Sequence, residues 1–326
     1  MDFALLGSSG IRVSRVGLGC GFRNQTDLKL MEDAIRCAID RGVTLLDCSN
    51  FYGKTPDTPY GGASEIALGR AIAGCRDDVV ITSKVGEPIG PRPNDLGGSR
   101  MHVMREIDRS LRRLQTDHVD IYIIHWRDPD TALEETVSAM LDVIRQGKAR
   151  AWGMSTFSAW ESCKALMIAE RLGGPRPAMV MHPYNLLDRA PEREVLPFCR
   201  AEQVGFFAYS PLAVGLLTGF YRPNRPPPPG SVMAASRRRA EYDDTFRGRA
   251  FQVLAAVERI AAARACAPAH VALNWVRSNP DVSVTLMGVD TPDQVDANLG
   301  ALSWQLSEAE RRELDLVSQP PGFEHQ

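Results

Sequence analysis

The chain has 326 residues, of which 44% are hydrophobic and 24% charged, and its formal net charge is −2. This composition is typical of a globular protein with a large core, and so small a net charge gives no indication of a nucleic-acid partner. No apolar stretch is long enough to span a membrane, and the chain start lacks the basic and apolar segments of a secretory signal. Seven scattered cysteines without a CxxC pair predict reduced thiols. We therefore expect a cytoplasmic protein without a membrane partner; its oligomeric state is not predicted.

Short β-branched runs alternate with helical patterns along the chain. Most of the runs are continuously apolar, as is typical of parallel strands covered by helices. Eight strands are predicted, at residues 16–20, 43–49, 79–85, 119–126, 149–156, 178–183, 205–211 and 282–289. Helices are predicted at residues 27–42, 99–114, 132–147, 159–172, 192–203, 246–266, 268–278, 291–301 and 307–317. We predict one (β/α)₈ TIM barrel domain over residues 1–326, with a doubly wound open sheet as the alternative.

Two further segments flank this pattern. Short strands around Ser8, Ser9 and Gly10 predict an N-terminal β-hairpin that closes the bottom of the barrel. Residues 213–245 form a long loop after strand seven, and its four consecutive prolines exclude helix and central strand. The loop is either a solvated surface segment or a lid that contacts substrate. We expect its arginine run, residues 237–239, to be solvated.

Polar residues stand at the carboxyl ends of four successive strands. Asp47, Lys84, His125 and Ser155 end strands two, three, four and five. In a barrel these ends face one mouth, where function resides. An unpaired buried charge is costly, so Asp47 and Lys84, on neighbouring strands, are predicted to pair.

Tyr52 follows strand two on the adjoining loop. A phenol titrates near pH 10, and we expect the Lys84 ammonium to lower the pKa of Tyr52 toward neutrality. His125 is then predicted to act as a second hydrogen-bond donor or proton relay for a carbonyl oxygen held near Tyr52. The chemistry suggested is protonation of a carbonyl oxygen, or its reverse, and no metal-ligand spacing competes with it.

Eight segments, from about Leu6 to Leu302, resemble the aldo-keto reductase family in order. They are "DCSNFYG", "GGASEIALGRAI", "ITSKVG", "VDIYIIHWRD", "WGMSTFS", "YNLLDR", "YSPLAVGLLTG" and "MGVDTPDQVDANLGAL". The resemblance implies a barrel that binds NADP(H) or NAD(H) and reduces an aldehyde or ketone. It makes Tyr52 the general acid, tuned by Asp47, Lys84 and His125.

The resemblance also assigns a cofactor site. Ser155 would contact the nicotinamide carboxamide and Tyr209 would stack on the nicotinamide ring. The pyrophosphate loop would contain Ser210, Leu212 and Gly215, and the adenosine end would contain Gly288, Gln294 and Asn298. Phe22 and Trp126 are candidates to line the substrate pocket.

Three residues depart from the family pattern. Thr156 stands where the family usually has asparagine, and Met181 where it usually has glutamine, so two amide contacts to the carboxamide are absent. Asp290 stands where many relatives have arginine or serine near the adenosine 2′-phosphate. A carboxylate there would repel that phosphate and favour NADH, so the sequence does not choose between NADPH and NADH.

We predict a carbonyl reductase whose substrate is polar, either sugar-like or natural-product-like. Two other functions stay open. One is a cofactor-binding regulatory protein that resembles channel β-subunits, and the other is a redox-neutral barrel enzyme such as a dehydratase or epimerase. The sequence does not identify the substrate.

Overall fold

A computed structural model describes residues 1–222, 225–229, 231–234 and 250–320. Its strands are β1 (Phe3–Leu5), β2 (Arg12–Ser14), β3 (Val16–Gly19), β4 (Leu45–Asp47), β5 (Val80–Val85), β6 (Val119–Ile124), β7 (Ala149–Ser155), β8 (Met179–Pro183), β9 (Gly205–Tyr209) and β10 (Val284–Gly288). The α-helices of the described residues are α1 (Leu28–Asp40), α2 (Ala63–Ala71), α3 (Arg100–Leu114), α4 (Leu133–Arg145), α5 (Ala159–Arg171), α6 (Val195–Glu202), α7 (Ala250–Ala263), α8 (Pro268–Arg277), α9 (Pro292–Leu299) and α10 (Glu308–Ser318).

Strands β3 to β10 form a closed parallel barrel in chain order, with β10 pairing back onto β3. The (β/α)₈ prediction is confirmed, and the open-sheet alternative is wrong. Each barrel strand lies inside its predicted range. Two helices begin with capping boxes: Ser158 pairs with Glu161 and Ser307 with Glu310, which satisfies backbone N–H groups that no helical carbonyl can reach.

Alternation along the strands sorts side chains between two cores. Leu45, Ile121, Ile123, Met181 and Phe207 belong to the cluster inside the barrel. Their neighbours in sequence pack in a larger cluster between the strands and the helices. Because successive side chains of a strand face opposite ways, Asp47 continues the inward row of Leu45.

The N-terminal hairpin is confirmed, with β1 and β2 paired antiparallel. The side chains of Leu6 and Val13 are fully buried in the cluster inside the barrel. The hairpin therefore closes one end of the barrel with apolar side chains. The other end is open and is the candidate location of the active site.

The segment after β9 is only partly described. Two short 3₁₀ helices, Ala213–Thr218 and Val232–Ala234, lie in it. The predicted arginine run at 237–239 and the first residues of the predicted helix 246–266 lie outside the described residues. All seven cysteines are unpaired. Among the helices of the described part, none has the length and apolarity that a bilayer crossing requires.

Candidate active site

A buried ion pair lies at the open end of the barrel. The Lys84 Nζ of β5 lies 2.7 Å from the Asp47 carboxylate of β4, and neither side chain is more than 5% exposed. Lys84 also donates to the Cys48 carbonyl oxygen at 2.8 Å, and the Thr82 hydroxyl donates to Asp47 at 2.5 Å. Every charged atom of the pair thus has a partner, which a pair shielded from water requires.

Tyr52 lies directly above this pair. The Lys84 Nζ is 4.5 Å from the centroid of the Tyr52 ring. The loop that carries the tyrosine is held by α2, since the amides of Gly62 and Ser64 both donate to the Tyr52 carbonyl oxygen. Gly53, next in the chain, has a φ of +67°, and a Cβ there would come within 2.8 Å of the Ser64 amide nitrogen. A side chain at position 53 would therefore push the loop away from the helix.

His125 completes the cluster from the end of β6. Its Nε2 lies 3.3 Å from the Tyr52 hydroxyl, and its Nδ1 lies 3.5 Å from the hydroxyl of Ser49. The rings of His125 and Tyr52 meet edge to face, with centroids 5.5 Å apart. The structure therefore brings together the predicted catalytic residues Asp47, Tyr52, Lys84 and His125.

The protonation states of this cluster differ from expectation at one residue. Burial raises the pKa of Tyr52, and although the Lys84 charge opposes this, the net direction is upward. The prediction that Lys84 brings this pKa toward neutrality is therefore wrong for the protein alone, because loss of water around the phenol outweighs the nearby ammonium. The phenol is neutral at pH 7 and can donate its proton.

At pH 7 Lys84 is charged and His125 is neutral. Burial lowers the pKa of Lys84, but the Asp47 carboxylate outweighs it and the pKa lies above its ordinary value. Burial, and then the Lys84 charge, place the pKa of His125 well below its ordinary value. At pH 7 the cluster thus contains an ammonium, a carboxylate, a neutral phenol and a neutral imidazole.

The predicted nicotinamide residues lie side by side on β7, β8 and β9. Ser155 is buried at the end of β7, and its Cα is registered opposite that of Met181. The Ser155 hydroxyl has no hydrogen-bond partner among the residues that the structure describes. Tyr209 is half-buried, and burial raises its pKa to about 12. A hydroxyl without a protein hydrogen bond in the described residues and an aromatic ring therefore stand at one edge of the mouth.

Thr156 and Met181 place their side chains away from a ligand role. The Thr156 hydroxyl donates to the Ser155 carbonyl oxygen at 2.6 Å, and its backbone has a φ of +59°. That left-handed conformation is unfavourable for a β-branched residue. Met181 packs in the apolar cluster inside the barrel. His182 points the other way, with its Nε2–H donating to the Phe157 carbonyl oxygen at 2.8 Å, so it does not replace the amide that Met181 lacks.

The predicted pyrophosphate loop has a strained backbone. Ser210, Ala213 and Val214 have φ values of 52°, 48° and 55°, and Gly215 has 92°. Left-handed residues of this kind concentrate at ligand-binding sites. Asn185 donates to the Ser210 carbonyl oxygen at 3.0 Å and supports the turn. Leu212, in contrast, packs against the outer core.

The predicted adenosine end lies at β10 and α9. Gly288 is exposed at the end of β10, and Asn298 is buried on α9. The Asp290 backbone N–H donates to the Gln294 side chain at 2.7 Å. The Asp290 carboxylate accepts from the backbone and side chain of Asn24 at 3.4 and 3.3 Å, so it links this end to the loop after β3.

The two candidate pocket aromatics have different surroundings. Trp126 is 46% exposed and stacks on His125, with centroids 6.0 Å apart. Its indole N–H donates to Glu87, a contact that the sequence did not indicate. Phe22 is only 3% exposed and packs in the outer core. Its burial gives no support to the prediction that it lines the pocket.

Residues 15–319 match the family model described as "Aldo/keto reductase family". The chain belongs to this family. Among the relatives of this aldo/keto reductase is the "Aldo-keto reductase YhdN" of Bacillus subtilis (strain 168), 30% identical over 97% of this chain and 93% of the relative. The "L-glyceraldehyde 3-phosphate reductase" of Escherichia coli (strain K12) is 30% identical over 93% and 88%. The "Probable voltage-gated potassium channel subunit beta" of Arabidopsis thaliana is 33% identical over 93% and 91%.

Proposed function

We propose that this aldo/keto reductase reduces an aldehyde or ketone to an alcohol with NADPH or NADH, and that Tyr52 is the general acid. The observation that carries the proposal is the cluster at the mouth. A neutral phenol lies 4.5 Å from a buried ammonium, measured to the ring centroid, and 3.3 Å from a neutral imidazole. A protonated phenol is the form that can donate to a carbonyl oxygen as negative charge develops there.

The residues around the mouth fit an extended dinucleotide. Ser155 offers an unpaired hydroxyl for the carboxamide, and Tyr209 offers a ring face for the nicotinamide. The strained turn containing Ser210 and Gly215 suits a pyrophosphate, while Gln294 and Asn298 would hold the adenosine end. When bound, the nicotinamide supplies the hydride that the carbonyl carbon receives.

The protein's own groups would then handle the proton. The Tyr52 phenol donates to the carbonyl oxygen and becomes a phenolate. The Lys84 ammonium stabilises that phenolate, and Asp47 keeps Lys84 charged and in place. His125 holds the phenol oxygen from the opposite side. The exposed face of Trp126 borders this point and offers an apolar wall for the substrate, which we propose to be a polar, sugar-like or natural-product-like carbonyl compound.

Cofactor choice is proposed from Asp290. Its carboxylate has two hydrogen-bond donors from Asn24, and no cationic side chain in the described part of the chain forms an ion pair with it. A ligand phosphate placed beside it would meet an uncompensated negative charge. We therefore propose that this chain uses NADH at least as well as NADPH.

The test is a steady-state assay of NADPH and NADH oxidation across aldehydes, ketones and sugars, with a cofactor-only control. Substrate-dependent oxidation supports the proposal. A fluorescence titration with each cofactor accompanies the assay. If the protein binds cofactor but turns over none of the carbonyl compounds, the result would count against a reductase.

That outcome would favour a second candidate, a cofactor-binding regulatory protein. Two observations support it. The chain is similar to proteins named as probable potassium channel β-subunits, and Thr156 and Met181 lack the side-chain amides that the family usually has at these positions. If the titration shows no cofactor binding, hydride transfer is excluded, and the redox-neutral alternative replaces both.

A further inference from the structure

Ser49 lies beside the site but has no role in the function proposed above. It sits two residues after Asp47 and is fully buried. Its hydroxyl oxygen accepts the backbone N–H of Phe51 at 3.2 Å and lies 3.5 Å from the Nδ1 of His125. A hydroxyl has one proton to donate and two lone pairs, so its proton also needs an acceptor.

The Nδ1 of His125 is the one acceptor that the described residues offer this proton. Phe51 already donates to the Ser49 oxygen, and a backbone N–H cannot accept. A fully buried hydroxyl rarely leaves its proton unsatisfied. The 3.5 Å contact is long, as is common at catalytic centres without ligand, and this count of donors and acceptors favours Ser49 as its donor.

We propose that Ser49 is a positioning residue that fixes the tautomer of His125, with the ring proton on Nε2. When Ser49 donates to Nδ1, that nitrogen has a lone pair, and the proton of the neutral imidazole must be on Nε2. Nε2–H then donates to the Tyr52 oxygen, 3.3 Å away. The inference rests on the proposed role of Tyr52 as the acid.

The tautomer decides where the Tyr52 proton goes. If Nε2 carries the proton, the phenol oxygen accepts from it, and the phenol O–H is free to donate to the carbonyl oxygen. If Nε2 were unprotonated, the Tyr52 phenol would donate its proton to the imidazole. That hydrogen bond would have to break before each turnover, because the phenol could not otherwise donate to the carbonyl oxygen. Ser49 therefore acts through His125 and does not touch the substrate.

The direct test is a ¹⁵N NMR spectrum of the imidazoles in protein labelled at histidine, at pH 7 and without substrate. The chain has six histidines, so His125 is assigned by its absence from a His125→Gln spectrum. We expect Nδ1 to have the shift of an unprotonated nitrogen and Nε2 that of a protonated one. A protonated Nδ1 in the wild-type protein overturns the proposal without any Ser49 variant.

The variants test the cause. Ser49→Ala should move the two shifts toward each other as the tautomers mix, and should lower kcat by about 3- to 10-fold, the range of one neutral hydrogen bond. Ser49→Thr keeps the hydroxyl and should restore both. Ser14→Ala is the matched control, since Ser14 is equally buried but donates to the Val16 carbonyl oxygen beside the hairpin. It should leave the His125 shifts unchanged.

Unchanged His125 shifts in a folded Ser49→Ala protein would overturn the proposal. The NMR result does not depend on turnover. A protein without reductase activity but with the expected tautomer would refute the proposed function and leave the role of Ser49 in orienting His125 intact.

Discussion

Replacing Asp47 with asparagine removes one charge of the buried pair and leaves Lys84 without an anion. Loss of one partner from a buried pair costs about 3–5 kcal/mol, because the remaining charge stays shielded from water or must lose its proton. The Lys84 ammonium is fully buried and 2.7 Å from the carboxylate, so we expect Asp47→Asn to fall in this range. Asparagine can still accept from Thr82, which keeps the change local.

The pH must be chosen so that the pair is fully formed. The folded pKa of Lys84 is raised above its ordinary value. Its contribution is therefore complete below the unfolded pKa of about 10.4 and is lost as the pH rises through the folded value. Urea unfolding at pH 7, followed by circular dichroism, reads the whole effect as a shift in midpoint at constant slope.

Two further variants sharpen the test. Asp33→Asn breaks a surface pair with Lys29 that has the same 2.7 Å separation but is 38% and 67% exposed, and it should leave the midpoint unchanged. The double change Asp47→Leu with Lys84→Met removes both charges and should regain most of the loss. A change in the free energy of unfolding of less than about 1 kcal/mol on Asp47→Asn would show that the buried pair does not carry the stability assigned to it.

Three other predictions concern Thr156, Asp290 and His125. Thr156→Asn should stabilise the protein by about 0.5–1 kcal/mol in thermal unfolding, since asparagine tolerates the left-handed backbone; a lower midpoint would contradict this. Asp290→Asn should tighten NADPH binding about fivefold in a fluorescence titration and leave NADH binding unchanged, because about 1 kcal/mol of repulsion is removed; equal effects on both cofactors would argue against it. The pKa of His125 is depressed in the folded state, so its contribution to stability is present above the unfolded pKa of about 6.5 and declines as the pH falls toward the folded value. His125→Gln should reduce the wild-type loss of stability between pH 7.5 and 5.5 by about 1 kcal/mol, and an equal loss in both proteins would contradict the assigned pKa.

The barrel was predictable because its strands are continuous apolar runs. The predicted strand order also made Asp47 and Lys84 neighbours, and the cost of an unpaired buried charge indicated that they would pair. Helix α2 was different. Seven of its nine residues are buried, so it lacks the apolar stripe that reveals a helix, and only the family resemblance indicated it.

Features that depend on three-dimensional surroundings were not predictable. The pKa of Tyr52 depends on how completely the phenol is buried, which no local pattern encodes. The contacts between Trp126 and Glu87, and between His125 and Ser49, join residues 39 and 76 positions apart. Phe22 follows a strand end as Trp126 does, yet its backbone has a φ of +43° and its side chain packs in the outer core, which no local pattern indicated.

Substitution of Tyr52 tests most directly whether its phenol donates the proton. Tyr52→Phe removes only the hydroxyl, and Tyr60→Phe is the matched control at a tyrosine that is 48% exposed. With a substrate from the carbonyl panel, Tyr52→Phe should lower kcat by about 10²- to 10⁴-fold, while the fluorescence titration shows wild-type cofactor affinity; Tyr60→Phe should change neither. Wild-type turnover by the Tyr52→Phe protein would show that Tyr52 is not the proton donor.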